Sequence, residues 1–318
     1  MFSIDQITDA RERIKDNILN TPLLHSRWLS DACNGSVYLK MESEQYTGSF
    51  KARGSLNKLM WIQEQKLNKL PVTASTGNHG LGFARALDLL GMKGKIFLPE
   101  NADTSKIEAI QSYGADLEFH GDDPYTTEMF ARKTADENGW IYVSPYNDEQ
   151  IIAGQGTIGI EILEKIDQPD NILATVGGGG LISGIATYVK EKSPKTRIIG
   201  CQPENSPEMS ASVRAGEYKE IESKPTLSDG SAGGFEKDSI TFDLCKELVD
   251  EFILVSEKKI EKSIRQMISK HHKLVEGSAA VAVASLLQQP DKFANQSTVI
   301  VICGANISLD TLKEVLAK

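Results

Sequence analysis

Four consecutive glycines, Gly177 to Gly180, stand between a β-branched run, Asn171 to Val176, and a helical stretch, Leu181 to Lys192. A strand or helix interior would be weakened by such a run, because glycine loses more backbone freedom on ordering than any other residue. At a strand-to-helix junction the run has a use. Main-chain N–H groups can converge there with no Cβ in the way, and the helix behind adds its positive dipole end. That arrangement is a phosphate cradle. It is not the dinucleotide fingerprint, since Ile182 or Ser183 falls at the third glycine position. It is not a nucleoside-triphosphate loop, since no Gly-Lys-Ser/Thr follows. A phosphorylated small cofactor or substrate fits; a tight turn without a ligand is the plain alternative.

Strand and helix signals alternate along the rest of the chain. Ser36–Lys40, Lys95–Leu98, Ile141–Val143, Arg197–Gly200 and Ser297–Ile302 read as further buried strands. Gly80–Leu90, Ser105–Tyr113, Pro124–Asn138 and Ile260–His271 read as helices. This alternation implies an α/β architecture with parallel sheets. Gly91 and Gly114 each follow a helix and suit a left-handed cap. Residues 70–147 form one compact strand–helix block, and a second series begins at 148. The expected organisation is a large unit, 1–69 with 148–318, and a small inserted unit, 70–147. Glu204–Gly234, rich in Ser, Pro, Glu and Gly, is expected to be mostly loop.

Composition narrows the function classes. With 318 residues and 40% hydrophobic content, the chain can bury two cores. Its 35 basic against 44 acidic residues leave a net charge of −9, which argues against nucleic acid or an anionic membrane as partner. Cys33, Cys201, Cys245 and Cys303 are scattered, so neither a zinc site nor a disulfide framework is expected, and a cytoplasmic setting fits. The first residues lack the basic start and apolar run of a secretion signal.

Two further segments carry chemistry. In Thr47-Gly48-Ser49-Phe50-Lys51-Ala52-Arg53-Gly54, a lysine lies between apolar and small neighbours. Burial there would lower its pKa and make it an amine nucleophile or base; a snorkelling lysine at a helix start is the alternative. In Ser75-Thr76-Gly77-Asn78-His79-Gly80, hydroxyls, an amide and free N–H groups meet at a helix start. That suits a carboxylate or a ring oxygen, or else a plain N-cap turn.

Taken together, these segments resemble the fold-type II pyridoxal-phosphate enzymes, the group of serine/threonine dehydratases and serine racemase. Ala153-Gly154-Gln155-Gly156-Thr157, Glu276-Gly277-Ser278-Ala279-Ala280 and Cys303-Gly304-Ala305-Asn306 extend the likeness over essentially the whole chain. The resemblance implies two three-layer α/β domains of the tryptophan synthase β type, with pyridoxal 5′-phosphate in the cleft between them. It implies Lys51 as the Schiff-base lysine, which also removes the substrate's Cα proton. Phe50, Asn78, Gly177, Gly178, Gly179, Gly180, Leu181, Glu276 and Cys303 are then cofactor-binding, and Ser75, Thr76, Gly77, Asn78 and His79 substrate-binding. Asn78 takes the cofactor's phenolic oxygen and Cys303 stands beside its pyridine nitrogen.

Three positions help to choose among the group's activities. Thr76 stands where similar racemases have the serine that acts on the face opposite the lysine, and where dehydratases often have alanine. Thr127 stands where relatives acting on hydroxyaspartate carry an arginine. Gln202, Ser206 and Glu208 match the group's divalent-cation site, but Gln202 replaces a carboxylate, and no metal is expected. The implied function is a lyase that dehydrates L-serine or L-threonine to a 2-oxo acid and ammonia. Serine racemase and 3-hydroxyaspartate dehydratase are the alternatives within the family, and a non-catalytic amino-acid-binding protein is the alternative outside it. The expected partner is a small hydroxy amino acid, and the expected assembly is a homodimer or homotetramer.

Overall fold

The computed structural model describes residues 2–317. Its first elements are α1 (Ile4–Ile14), β1 (Leu23–His25), α2 (Arg27–Cys33), β2 (Ser36–Lys40) and α3 (Lys51–Glu64). There follow β3 (Pro71–Ala74), α4 (Asn78–Leu90), β4 (Lys95–Leu98), α5 (Thr104–Gln111), β5 (Asp116–Phe119), α6 (Pro124–Asn138) and β6 (Ile141–Tyr142). The chain continues with α7 (Glu149–Leu163), β7 (Asn171–Thr175), α8 (Gly180–Lys192), β8 (Arg197–Pro203), α9 (Glu208–Ala215) and α10 (Ile240–Leu248). Last come β9 (Glu251–Val255), α11 (Glu257–Gln266), α12 (Gly277–Gln288), β10 (Ser297–Val301) and α13 (Leu309–Leu316).

Two sheets result. The larger has the order β1-β2-β10-β7-β8-β9 and the smaller β5-β4-β3-β6. The smaller sheet is parallel throughout. The larger departs from the all-parallel expectation at one edge, where β1 runs antiparallel to β2 with Leu23 opposite Lys40. An antiparallel edge strand on a parallel sheet is common, and three residues are too few to show a periodic pattern. Strand β9 also escaped the sequence reading. It is the other edge, only partly buried, and gives no continuous buried run. Within Glu204–Gly234, expected to be mostly loop, α9 forms a short helix closed by Gly216 at φ +77°. The helix expected over Ile260–His271 is α11 followed by a π-helical turn, Met267–His271.

The central strands are apolar because both faces are covered: every residue of β7 is buried. The main core joins Ile172, Leu173, Ile198, Ile199, Val281 and Val299. A second core holds Leu56, Leu59, Phe83, Ile96 and Ile110 under the smaller sheet. Helix α7 lies between them. A Cβ added to Gly154 would sit 2.6 Å from the Gly54 Cα, so α3 and α7 cross backbone to backbone. This crossing fixes the start of α3, where Lys51 stands.

Helix starts differ in how they are capped. Asp103, Asp123 and Asp148 each accept first-turn N–H groups of α5, α6 and α7. Helices α4 and α8 begin at Gly77 and Gly179 with no side-chain cap. Their first-turn N–H groups are therefore free of a competing side chain and available to a ligand.

Candidate active site

Lys51 opens α3, and its position is set by the segment after β10. Phe50 N–H donates to the Cys303 carbonyl at 3.1 Å, and Ser49 pairs with Gly304. The Lys51 amine donates to the Pro145 carbonyl at 2.7 Å. Burial pushes its pKa down to about 8, against the opposing pull of the nearby Glu276 carboxyl. The Cys303 thiol is itself pushed well above its usual value, first by burial and then by Glu276, and stays protonated.

The glycine loop joins β7 to α8. Gly179 has φ +86°, a left-handed conformation that suits glycine. A Cβ on Gly178 would lie 2.4 Å from the Tyr146 ring, and one on Gly177 3.0 Å from the Ser231 backbone. Leu181, in the first turn of α8, is buried.

The loop after β3 forms the facing part. Gly77 N–H donates to the Ser75 hydroxyl at 3.3 Å. The Asn78 amide nitrogen donates to both Glu276 oxygens at 2.9 and 3.1 Å. Asn306 completes the cluster: its amide nitrogen donates to Asn78 Oδ1 at 2.6 Å and to the Thr47 carbonyl at 2.8 Å, and its backbone N–H to Glu276 at 3.0 Å. Burial raises the Glu276 carboxyl to about 7, although the Asn78 bond works the other way. A cavity of about 200 Å³ opens here, with Thr76, Gly77, Asn78, Lys106, Asp229 and Glu276 in its wall. The His79 ring lies elsewhere. It is buried, its Nε2 donates to the Val143 carbonyl at 3.1 Å, and Ser55 is 3.4 Å from Nδ1. Burial, with the nearby Lys51 charge, lowers its pKa to about 3, so the ring is neutral. What His79 can offer a substrate is its main chain, since its imidazole braces the loop from behind.

An amine of lowered pKa at the start of α3, an uncapped glycine-lined helix start after β7 and an amide–carboxylate cluster of Asn78, Glu276 and Asn306 are thus gathered at one site. Residues 14–304 match the profile of the family described as pyridoxal-phosphate dependent enzyme. The chain belongs to the pyridoxal-phosphate dependent enzymes. It is 38% identical over 315 residues to the catabolic L-threonine dehydratase of Escherichia coli strain K12, covering 98% of this chain and 95% of that one. It superposes on maize serine racemase with a TM-score of 0.91 at 29% identity, covering 99% of this chain and 97% of that one. The processed threonine deaminase isoform 2 of Solanum lycopersicum gives a TM-score of 0.91 at 31% identity, with 99% and 94% covered. The two-sheet α/β fold and the cofactor expected from the sequence both hold for this pyridoxal-phosphate enzyme.

The residues present fit the cofactor. The glycine loop presents its main chain with no side chain over it, Gly179 taking φ +86°, the helix behind it lacks a side-chain cap, and Lys51 supplies an amine poised near neutrality. They do not fit a divalent cation at Gln202, Ser206 and Glu208. There Gln202 donates to the Val176 carbonyl at 3.1 Å and accepts Ser210 N–H at 2.8 Å. Glu208 accepts the hydroxyls of Ser206 and Ser223. An amide N–H in place of a carboxylate leaves a hard cation short of charged oxygen.

Sequence reasoning missed Asn306, Pro145, Tyr146, Lys106 and Asp229 as site residues of this pyridoxal-phosphate enzyme. Asn306 lay within a segment already singled out and its amide was the available signal. The others reach the site through loops that no local pattern marks.

Proposed function

We propose that this enzyme is a serine/threonine dehydratase, removing the Cα proton and β-hydroxyl of L-serine or L-threonine and releasing a 2-oxo acid and ammonia. The observation that carries the reading is Lys51, an amine lowered to about 8 at the start of α3, together with the E. coli relative's name. Bound pyridoxal phosphate supplies the conjugated ring that takes up the charge left at Cα. Gly177 to Leu181 would hold its phosphate, Asn78 its phenolic oxygen, and Phe50, Glu276 and Cys303 would surround its ring. Cys303, a neutral thiol, does not force a proton onto the ring nitrogen as a carboxylate would. Ser75, Thr76, Gly77, Asn78 and His79 would bind the substrate carboxylate, largely through N–H groups at the start of α4. Neutral Lys51 then accepts the Cα proton. The β-hydroxyl and the proton removed from Cα are lost overall as water, and the enamine set free takes up water and loses ammonia.

Thr76 lines the cavity, and this favours racemisation as a second activity if its hydroxyl serves as the acid on the face opposite Lys51. Thr127 favours no β-carboxylate: its hydroxyl donates to the His120 and Asp123 carbonyls at 2.8 and 2.9 Å. The small unit, 70–147, is the body that would close over substrate, and a homodimer or homotetramer in the cytoplasm is the setting we propose. In keeping with that setting, all four cysteines are free and buried. Among the described residues no helix is long and apolar enough to cross a membrane.

The decisive experiment measures 2-oxo acid release and enantiomer formation over L- and D-serine, L- and D-threonine and the 3-hydroxyaspartates, with Lys51→Ala as control. Release from L-serine or L-threonine that Lys51→Ala abolishes is expected. Turnover confined to hydroxyaspartate, or release unaffected by the substitution, would overturn the reading.

A further inference from the structure

The cofactor reading gives no task to Tyr146, although its ring and backbone lie against the glycine loop. It follows Pro145, whose carbonyl accepts the Lys51 amine at 2.7 Å. Its ring covers the glycine loop: a Cβ on Gly178 would lie 2.4 Å from the ring, and one on Gly180 3.0 Å from the Tyr146 Cα. The ring is anchored at its far end, where the Tyr146 hydroxyl accepts Glu236 N–H at 2.9 Å. Burial raises the hydroxyl's pKa, with the Glu236 charge adding to it, so it stays a neutral phenol. Glu236 is in turn fixed from two sides, by Arg132 of α6 at 2.6 Å and by the Asn147 amide at 2.7 Å.

Two adjacent residues therefore touch both ends of the cofactor site. Consecutive Cα atoms across a trans peptide are about 3.8 Å apart and cannot stretch. The Pro145 carbonyl and the Tyr146 ring thus act as one short spacer between the Lys51 amine and the glycine loop. The absence of a side chain at Gly178 has a second reason beside access to N–H groups, since it makes room for this ring. The ring shields one side of the loop from water, which otherwise competes for the N–H groups that an anion needs.

We propose that Tyr146 is a positioning residue for the cofactor phosphate, holding the Gly177–Gly180 loop at a fixed distance from Lys51 by packing on Gly178 and bonding to Glu236. The proposal rests on the reading of Gly177–Gly180 as the phosphate site. Its test uses the full chain, with pyridoxal phosphate itself as the probe. Cofactor dissociation is measured by absorbance titration, and the phosphorus-31 resonance of the bound phosphate is recorded for Tyr146→Phe, Tyr146→Leu, Tyr146→Ala and Gly178→Ala.

Tyr146→Ala and Tyr146→Leu should weaken cofactor binding on the order of tenfold and shift or broaden the phosphorus resonance. Tyr146→Phe keeps the ring but loses its anchor. It should restore most of the affinity, to within about threefold of the native protein, while leaving the resonance broader than native. If the larger substitutions unfold the protein, Tyr146→Phe alone decides through its phosphorus line. Native affinity and a native phosphorus line in the Tyr146 variants, with Gly178→Ala impaired, would overturn the proposal and leave the phosphate reading standing. Native affinity in Gly178→Ala as well would remove the phosphate reading beneath it.

Discussion

Behind Lys51, Arg53 donates to Glu42 and Glu161, and Lys40 adds a second cation to Glu161, all within 0–1% exposure. Across the cleft the charges are spaced and wet. Lys106 meets Asp229 at 3.5 Å with side chains 34% and 65% exposed. A buried pair is costly to form but costlier to break, because removing one partner strands the other without water. An exposed pair is worth little and can open and close. The lysine side of the site is thus built to stay in place, while the side carrying α5 is tied across the cleft by a weaker pair that substrate binding would be able to override.

That contrast predicts the largest effect at Arg53. Burial alone would raise the Glu161 carboxyl, yet Arg53 and Lys40 outweigh it and hold Glu161 below the usual carboxylate range. Arg53→Leu takes away the ion-pair partner of buried Glu42 and leaves Glu161 to Lys40 and the partly exposed Arg11. Urea unfolding should show a loss of about 3–5 kcal/mol. A loss below about 1 kcal/mol would mean that the two sides of the cleft do not differ in stiffness.

Next in size is the pH response of Lys51. An amine lowered from 10.5 to about 8 is neutral over a wider range, and its reactive fraction rises with pH until it levels off above about 8. At pH 8 roughly half of it would be neutral, about a hundredfold more than for a solvated lysine. The rate at which cofactor-free protein takes up pyridoxal phosphate covalently should therefore climb through pH 7 and flatten beyond about 8.5. A rate still climbing in proportion to hydroxide up to pH 10 would show that Lys51 is not desolvated.

The same asymmetry explains what could be read from the sequence. Gly177–Gly180, Lys51 and Asn78 stood out as candidates because each is a residue type that backbone geometry or chemistry makes hard to replace in the role proposed. The Glu42–Arg53–Glu161 cluster was invisible: its members are 11 and 108 positions apart, and a charge buried by its partners looks like any other charge in a sequence. His79 was placed on the substrate because of its neighbours, and only the Val143 and Ser55 hydrogen bonds show its ring turned to a bracing task. Edge strands β1 and β9 were missed because partly exposed strands need no continuous apolar run.

A smaller effect belongs to Thr76, in the cavity wall on the softer side. On the proposed reading Lys51 handles the Cα proton of an L-amino acid alone, so Thr76→Ala should keep elimination of L-serine within about tenfold of native. Any D-serine should disappear, because no acid would remain on the opposite face. Pyruvate and D-serine measured together test this. Native D-serine formation faster than pyruvate formation, or lost elimination in Thr76→Ala, would move Thr76 into the elimination step itself.

The smallest effect should come from the ion pair that spans the cleft. Lys106 stands in α5 and Asp229 in the segment before α10, and both line the cavity with Glu276. At 3.5 Å and well exposed, the pair contributes no more than about 1 kcal/mol. Asp229→Asn should change unfolding stability by less than that. Its effect should be seen instead in the closed state that we propose substrate would favour. We expect the KM for L-serine or L-threonine to rise by about two- to fivefold with kcat nearly unchanged, since an interaction present equally in the bound and reacting states affects binding alone. Salt decides whether the interaction is ionic. At 0.5 M salt the screening length falls to roughly 4 Å, so native protein and Asp229→Asn should converge in KM. Scattering with and without a substrate analogue should show the cleft closing in both proteins. A KM difference above about tenfold that salt leaves untouched, or a stability loss matching that of Arg53→Leu, would mean that this pair is part of the fixed framework and that the cleft has no soft side.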